Sequence, residues 1–261
     1  MLLVAVIACA AWAAILLLPW RPWSTRERLP AANRKRSLAS VTVLIPARNE
    51  ADVIQRTLTA LSTQGPDLTV IVLDDCSSDD TAARARQAHL PGATLKVLDG
   101  EPKPPGWAGK LWALQQAQQH VRTPYMLLLD ADIALDSGVL AALLEKLEGA
   151  GLGLVSVMAR LPSNGGWERL LVPAYVYFFK MLYPFARVNH ADSRVAAAAG
   201  GCVLLRREAL VRAGGFAAMA GELIDDCALA ARVKAAGFAI WLGLSEAVAS
   251  QRGYPRLADV W

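Results

Sequence analysis

Histidine and cysteine are scarce in this 261-residue sequence, which holds three of the former and four of the latter. The cysteines (Cys9, Cys76, Cys202 and Cys227) stand far apart, form no CxxC pair and have no histidine at ligand spacing. This excludes a structural zinc site and a disulfide-built scaffold, and the thiols read as small apolar groups in a reducing compartment. Charge is also thin, at 19% of residues against 54% apolar, which excludes intrinsic disorder. No GxGxxG follows the first apolar strand, and Gly106-Trp107-Ala108-Gly109-Lys110 misses the Walker A spacing, with Leu111 in the Ser/Thr place. Internal repeats and low-complexity tracts are absent. The length fits one sizeable domain with appendages.

The positive charge that is present is concentrated. Residues 21–36 carry Arg21, Arg26, Arg28, Arg34, Lys35 and Arg36 against Glu27 alone, a local +5 that leaves the rest of the chain at −1. A broad basic face for nucleic acid is therefore not present. The cluster follows residues 1–20, which contain no charge. As a helix these would reach about 30 Å, the thickness of a bilayer core. Trp20 and Trp23 stand where an interfacial belt would lie, and the basic residues after them place the following domain in the cytoplasm. A cleaved signal peptide would carry its charge before the apolar run, and a buried core helix is the third reading. The expectation is a transmembrane anchor (1–20), a basic juxtamembrane linker (21–40) and a catalytic domain (41–250).

Within 41–250 apolar runs alternate with helical patterns. VTVLIP (41–46), TVIVLDD (69–75), TLKVL (94–98), YMLLLDAD (125–132), LGLVSVMA (152–159) and FAIWLG (238–243) read as strands. Residues 50–64, with Asn49 as cap, 109–121, 137–148 and 222–237 read as helices, and 167–188 as an interfacial or core-packing helix. Strands apolar throughout and separated by helices imply an α/β fold with a mostly parallel sheet covered on both faces. Ligands of such sheets bind at the carboxyl ends of the strands. That rule singles out Pro46 to Glu50, Asp74-Asp75 and Asp130-Ala131-Asp132. Asp130 and Asp132 can converge on one Mg²⁺ or Mn²⁺, which takes one or two carboxylates plus phosphate oxygens. A carboxylate at Asp74 or Asp75 can accept from a nucleobase or a ribose, and Lys110 can neutralise a diphosphate. Asp225-Asp226, at a helix start, offers a general base or simply a first-turn acid.

Together these residues resemble a family 2 glycosyltransferase with the GT-A (Rossmann-like) fold. The likeness runs through VTVLIPARNEADVIQRTLTAL, IVLDDCSSDDT, LLLDADI and GELIDDCALAARVKAAG. PKPPGWAGKLWAL, AAAAGGCVLLRREAL and the N-terminal apolar run are similar to the hopene-associated members from hopanoid-producing bacteria. The resemblance implies a nucleotide-sugar donor carrying UDP, with Asp75 reading the uracil and Asp74 beside it. Asp130 would lie near the ribose and metal, Asp132 would ligate the metal, and Asp226 would be the catalytic base. It further implies inversion, a lipid acceptor and a place on the bacterial inner membrane. Asp225 stands where Glu is usual. A QxxRW-type motif is missing, since Gln251-Arg252 does not reproduce it, and 251–261 is expected to begin a truncated C-terminal region. A membrane-anchored nucleotidyltransferase and a catalytically degenerate sugar-nucleotide-binding subunit are the alternatives.

Overall fold

The computed structural model describes residues 1–33, 36–222, 224–254 and 256–259. Arg34 and Lys35 of the basic cluster, Leu223 of the late acidic motif, and Trp261 lie outside the described residues.

The N-terminal helix α1 covers Leu2–Leu17, and none of its residues is buried. It ends one residue before the pair Leu18-Pro19, because a proline forces the residue before it out of the helical region, and Leu18 sits at φ −57°, ψ 130°. Sixteen residues reach about 24 Å, short of the roughly 30 Å of a bilayer core. Among the described residues no helix is long and apolar enough to cross a membrane. The expected 20-residue span is thereby corrected to a shorter, exposed apolar helix.

Residues beyond it are tied to the domain. Leu29 N–H donates to Leu244 O, Ala32 N–H to Gly138 O, and Leu38 is fully buried.

Strands β1 (Val41–Ala47), β2 (Leu68–Asp74), β3 (Ala93–Asp99) and β4 (Tyr125–Leu129) pair in parallel in the order β3-β2-β1-β4. Beyond β4 the expectation of a mostly parallel sheet needs correction. Strand β7 (Cys202–Arg206) runs antiparallel to both β4 and β6 (Leu154–Arg160). Strand β8 (Ile240–Ser250) is parallel to β6, and the short β5 (Ile133–Leu135) closes the edge antiparallel to β8. The result is one mixed eight-stranded sheet.

Side chains alternate across this sheet as the two-residue period of a strand requires. Val43 and Ile45 join Leu127 and Leu129 on one face, under α2 (Ile54–Ser62) and α5 (Val139–Gly149). Leu44 joins Met126 and Leu128 on the other, under α4 (Gly109–Ala117) and α9 (Asp225–Ala235). The short helices α3 (Thr81–Gln87), α7 (Phe185–Val188) and α8 (Arg207–Arg212) complete the layers.

Helix α6 (Gly166–Leu182) departs from this logic. Its buried residues are Glu168 and Lys180, while Trp167, Leu170, Tyr175, Phe178 and Leu182 are exposed. Trp12 of α1 stacks on Tyr177 of α6 with ring centroids 6.3 Å apart.

Candidate active site

The carboxyl ends of β1, β2 and β4 open into a cleft of about 610 Å³. Strand β1 delivers Pro46 and Glu50, β2 delivers Asp75, and the turn after β4 delivers Asp130 and Asp132. Lys110 enters from the first turn of α4, and Asp226 from the first turn of α9. Seven of the nine residues expected at a site thus line one cavity. The two exceptions have physical reasons. Asp74 is the last residue of β2 and turns inward, where its Oδ2 accepts from Ser77 N–H at 3.1 Å. Its role is to hold the turn that presents Asp75. Asp225 lines a small adjoining void that it shares with Lys110 and Asp226, not the cleft.

The loops at this edge brace one another. Asn49 does not cap α2, which starts at Ile54. It takes a left-handed conformation (φ 55°), and its Oδ1 accepts from Ser78 N–H at 2.8 Å. Asp79 accepts from Thr81 N–H and Ala51 N–H, so it is a structural acid. Gly109 lies close against Asp75: a Cβ there would stand 3.2 Å from Asp75 Oδ2, which would have to shift by a few tenths of an ångström.

The electrostatic centre is Lys110. Its Nζ lies 2.6 Å from Asp130 Oδ1 and donates to Gly200 O. Burial opposes its charge, but Asp130, Asp225 and Asp226 outweigh burial and hold its pKa above the ordinary lysine value. Burial pushes the Asp130 carboxyl up despite that ammonium. Burial likewise raises Asp226, against the Cys227 N–H that Asp226 Oδ1 accepts at 2.7 Å. Gly200 packs so tightly on Asp226 that an added Cβ would lie 3.0 Å from Oδ2. Gly201 O accepts from Asp130 N–H. The Gly200-Gly201 pair is therefore the hinge that sets the metal-side acid against the candidate base.

Asp130 and Asp132 present oxygen donors only, from one turn, with Asp132 Oδ2 fixed by Ser250 Oγ at 2.6 Å. Among the described residues no group of three or more His, Cys, Asp or Glu side chains is gathered for a metal. The pair fits a hard divalent cation that takes its remaining ligands from water and a phosphate.

Several cleft residues went unread in the sequence. Strand β8 extends to Ser250 and pairs Ser250 with Ile133, which brings the segment after it beside Asp132. Arg252 then forms an ion pair with Glu50. Burial raises the Glu50 carboxyl more than this pairing lowers it. Tyr254 N–H donates at 2.6 Å to Glu168 Oε1, whose Oε2 accepts from Asn164 and Gly165 at the start of α6. Residues 250–254 thus strap α6 over the cleft, where Tyr175, Phe179 and Tyr254 form the wall facing the acids. No local pattern signals this, since residues 244–250 do not alternate apolar with polar.

A family model described as "Glycosyltransferase like family 2" matches residues 39–258. The 4,4'-diaponeurosporenoate glycosyltransferase of Staphylococcus aureus (strain MRSA252) is 34% identical over 139 residues, 52% of this chain and 36% of that protein. The chain therefore spans about a third of the length of that relative. Among solved structures, the mannosyltransferase PcManGT from Pyrobaculum calidifontis, in complex with GDP-Man and Mn²⁺, superposes with a TM-score of 0.66 at 24% identity. The match covers 96% of this chain and 69% of that one. S. aureus TarS in complex with UDP-GlcNAc superposes at 0.58 with 18% identity, over 82% of this chain and 57% of that one. Those two likenesses show a shared fold, and the family model spans most of the sequence: the chain belongs to glycosyltransferase family 2.

Proposed function

We propose that the protein transfers a sugar from a nucleoside-diphosphate donor to an elongated apolar acceptor at a membrane surface. The observation that carries this reading is the meeting of Asp75, Asp130, Asp132, Lys110 and Asp226 in one cleft. In this reading Asp75 receives the base, as the turn braced by Asp74 and Ser77 presents its carboxylate at the β2 end, close against Gly109. Uracil is the proposed base, with UDP the leaving group. Lys110 takes up the charge that grows on the diphosphate as the sugar–phosphate bond breaks. Asp226 accepts the proton of the attacking hydroxyl, and a single displacement of this kind inverts the anomeric centre. A divalent cation held by Asp132 and Asp130, Mg²⁺ or Mn²⁺, would supply further charge neutralisation at the diphosphate.

The acceptor side rests on different observations. Helix α1 has no buried residue, and α6 buries Glu168 and Lys180 while exposing Trp167, Leu170, Tyr175, Phe178 and Leu182. Arg21, Arg26 and Arg28 follow α1 in the chain, and Arg28 lines one cavity with Val172 and Val176 of α6. An apolar surface flanked by basic residues suits the interface of an anionic leaflet, and the cytoplasmic leaflet of a bacterial membrane has that charge. The S. aureus (strain MRSA252) relative is named for the glycosylation of 4,4'-diaponeurosporenoate; a hopanoid alcohol is the acceptor proposed here.

The test is a thermal-shift panel of UDP-, GDP- and dTDP-sugars with Mg²⁺ and Mn²⁺. A ligand bound only by the folded state raises apparent stability by mass action. A cation-dependent shift with a nucleotide sugar supports the reading, and no shift with any of them refutes it.

A further inference from the structure

A second cavity, of about 940 Å³, adjoins the catalytic cleft and shares Met158, Ala159 and Leu161 with it. Its origin is a mismatch between two paired strands. Between the pairs Met158↔Leu244 and Arg160↔Ala249, β6 advances two residues while β8 advances five. The surplus residues of β8 bow out of the sheet, and irregularities of this kind open strand edges beside active sites. The bowed segment forms one wall through Leu244 and Ala247, residues 28–31 a second through Leu29, and α6 the third through Val172 and Val176.

Two polar side chains of this groove are engaged within the protein: Ser245 Oγ donates to Leu29 O, and Arg28 donates to Thr25 O and pairs with Glu246 at 3.3 Å. Asp136, Arg160 and Ser163 also line it and are exposed. The rest of the lining is apolar, through Leu29, Pro30, Ala31, Met158, Val172 and Val176. The groove meets the cleft at Met158, Ala159 and Leu161, and its α6 wall belongs to the helix that exposes Leu170 and Phe178. It thus lies against the cleft that holds the acids.

We propose that this groove holds the hydrocarbon body of a long-chain alcohol acceptor, with its hydroxyl passing Met158 and Leu161 to reach Asp226. The proposal rests on reading the cleft as a glycosyl-transfer site and adds a seat for the acceptor. Tyr175 lines the cleft one residue from Val176 of the groove, and burial, then the charge of Asp226, raises its phenol pKa.

The test uses the full chain, a 16-carbon primary alcohol bearing a mid-chain diazirine, and unlabelled hexadecanol as competitor. Val176→Trp and Ala247→Trp fill the groove from opposite walls, so both need not fail to fold. Each indole displaces at least two methylenes of the probe, for a loss in labelling of roughly tenfold. The expected result is competed labelling of peptides holding 158–176 and 244–247, reduced in both variants. The thermal shift with UDP or GDP and Mn²⁺ should be unchanged in the variants, because neither residue lines the cleft. Labelling confined to α1 and the outer face of α6, or equal in wild type and both variants, overturns the groove while leaving the transfer reading intact. Absence of any nucleotide shift in the wild type defeats the transfer reading itself.

Discussion

Replacing Asp226 by Asn isolates proton acceptance from everything else the cleft does. The side chains are the same size, so Asn keeps the hydrogen bond from Cys227 N–H at 2.7 Å and the contact with Gly200. The amide cannot take a proton. General base catalysis contributes about 10²–10⁴-fold, so turnover should fall by about 3–5 kcal/mol of barrier. Donor affinity should stay within about threefold, since less than 1 kcal/mol of binding rests on this group. UDP release in the presence of acceptor measures the first quantity, and calorimetric titration with UDP the second. The same group sets the pH dependence. Burial raises the Asp226 carboxyl above its ordinary 3.8, and only the ionised form is a base. The acid limb of kcat/KM should therefore lie above the ordinary aspartate value, with activity lost as pH falls through it. Turnover of Asp226→Asn within about threefold of wild type, or loss of donor binding together with turnover, would refute the assignment.

Asp132→Ala should abolish the Mn²⁺-dependent part of UDP binding while leaving a weaker, cation-independent part from Asp75 and Lys110; calorimetry with and without chelator checks this. Gly200→Ala places a Cβ 3.0 Å from Asp226 Oδ2, which must shift by a few tenths of an ångström. Turnover should drop roughly tenfold with donor affinity preserved, as measured by the same pair of assays. Glu168→Gln turns one of the two oxygens that accept from Asn164, Gly165 and Tyr254 into a donor, and should lower Tm at neutral pH. Those backbone hydrogen bonds hold the Glu168 carboxyl below its ordinary 4.5. Its stabilisation is thus present above pH 4.5 and lost as pH falls through the depressed value, so wild type and variant should converge in Tm at acid pH.

The parts of this site that were legible in the sequence share one property: they sit at the ends of strands apolar on both faces. VTVLIP, TVIVLD and YMLLL announce buried parallel strands, and the acids after them must lie at one edge. That is why Asp75, Asp130 and Asp132 could be placed together from residue order alone. Asp226 came from the family likeness, not from strand order. Asp74 differs from Asp75 by one position, and one position in a strand reverses the side chain's face. The strap at 250–254 was hidden because its place depends on β8 bowing away from β6, a tertiary event without a local signature. The antiparallel β7 was hidden similarly: a short strand after AAAAGG carries no mark of its direction. For α1 the apolar run was plain, but Pro19 ends the helix after sixteen residues and composition alone overstates its length.

The claim on which the account depends is that the acids of separate chain segments share a nucleoside diphosphate and a cation. Diffraction at the manganese absorption edge, from crystals grown with UDP and Mn²⁺, tests it directly. The account predicts one anomalous peak beside the Asp132 and Asp130 carboxylates, with the diphosphate against Lys110 and the uracil at Asp75. Nucleotide bound elsewhere, or a manganese peak remote from Asp132, would contradict it.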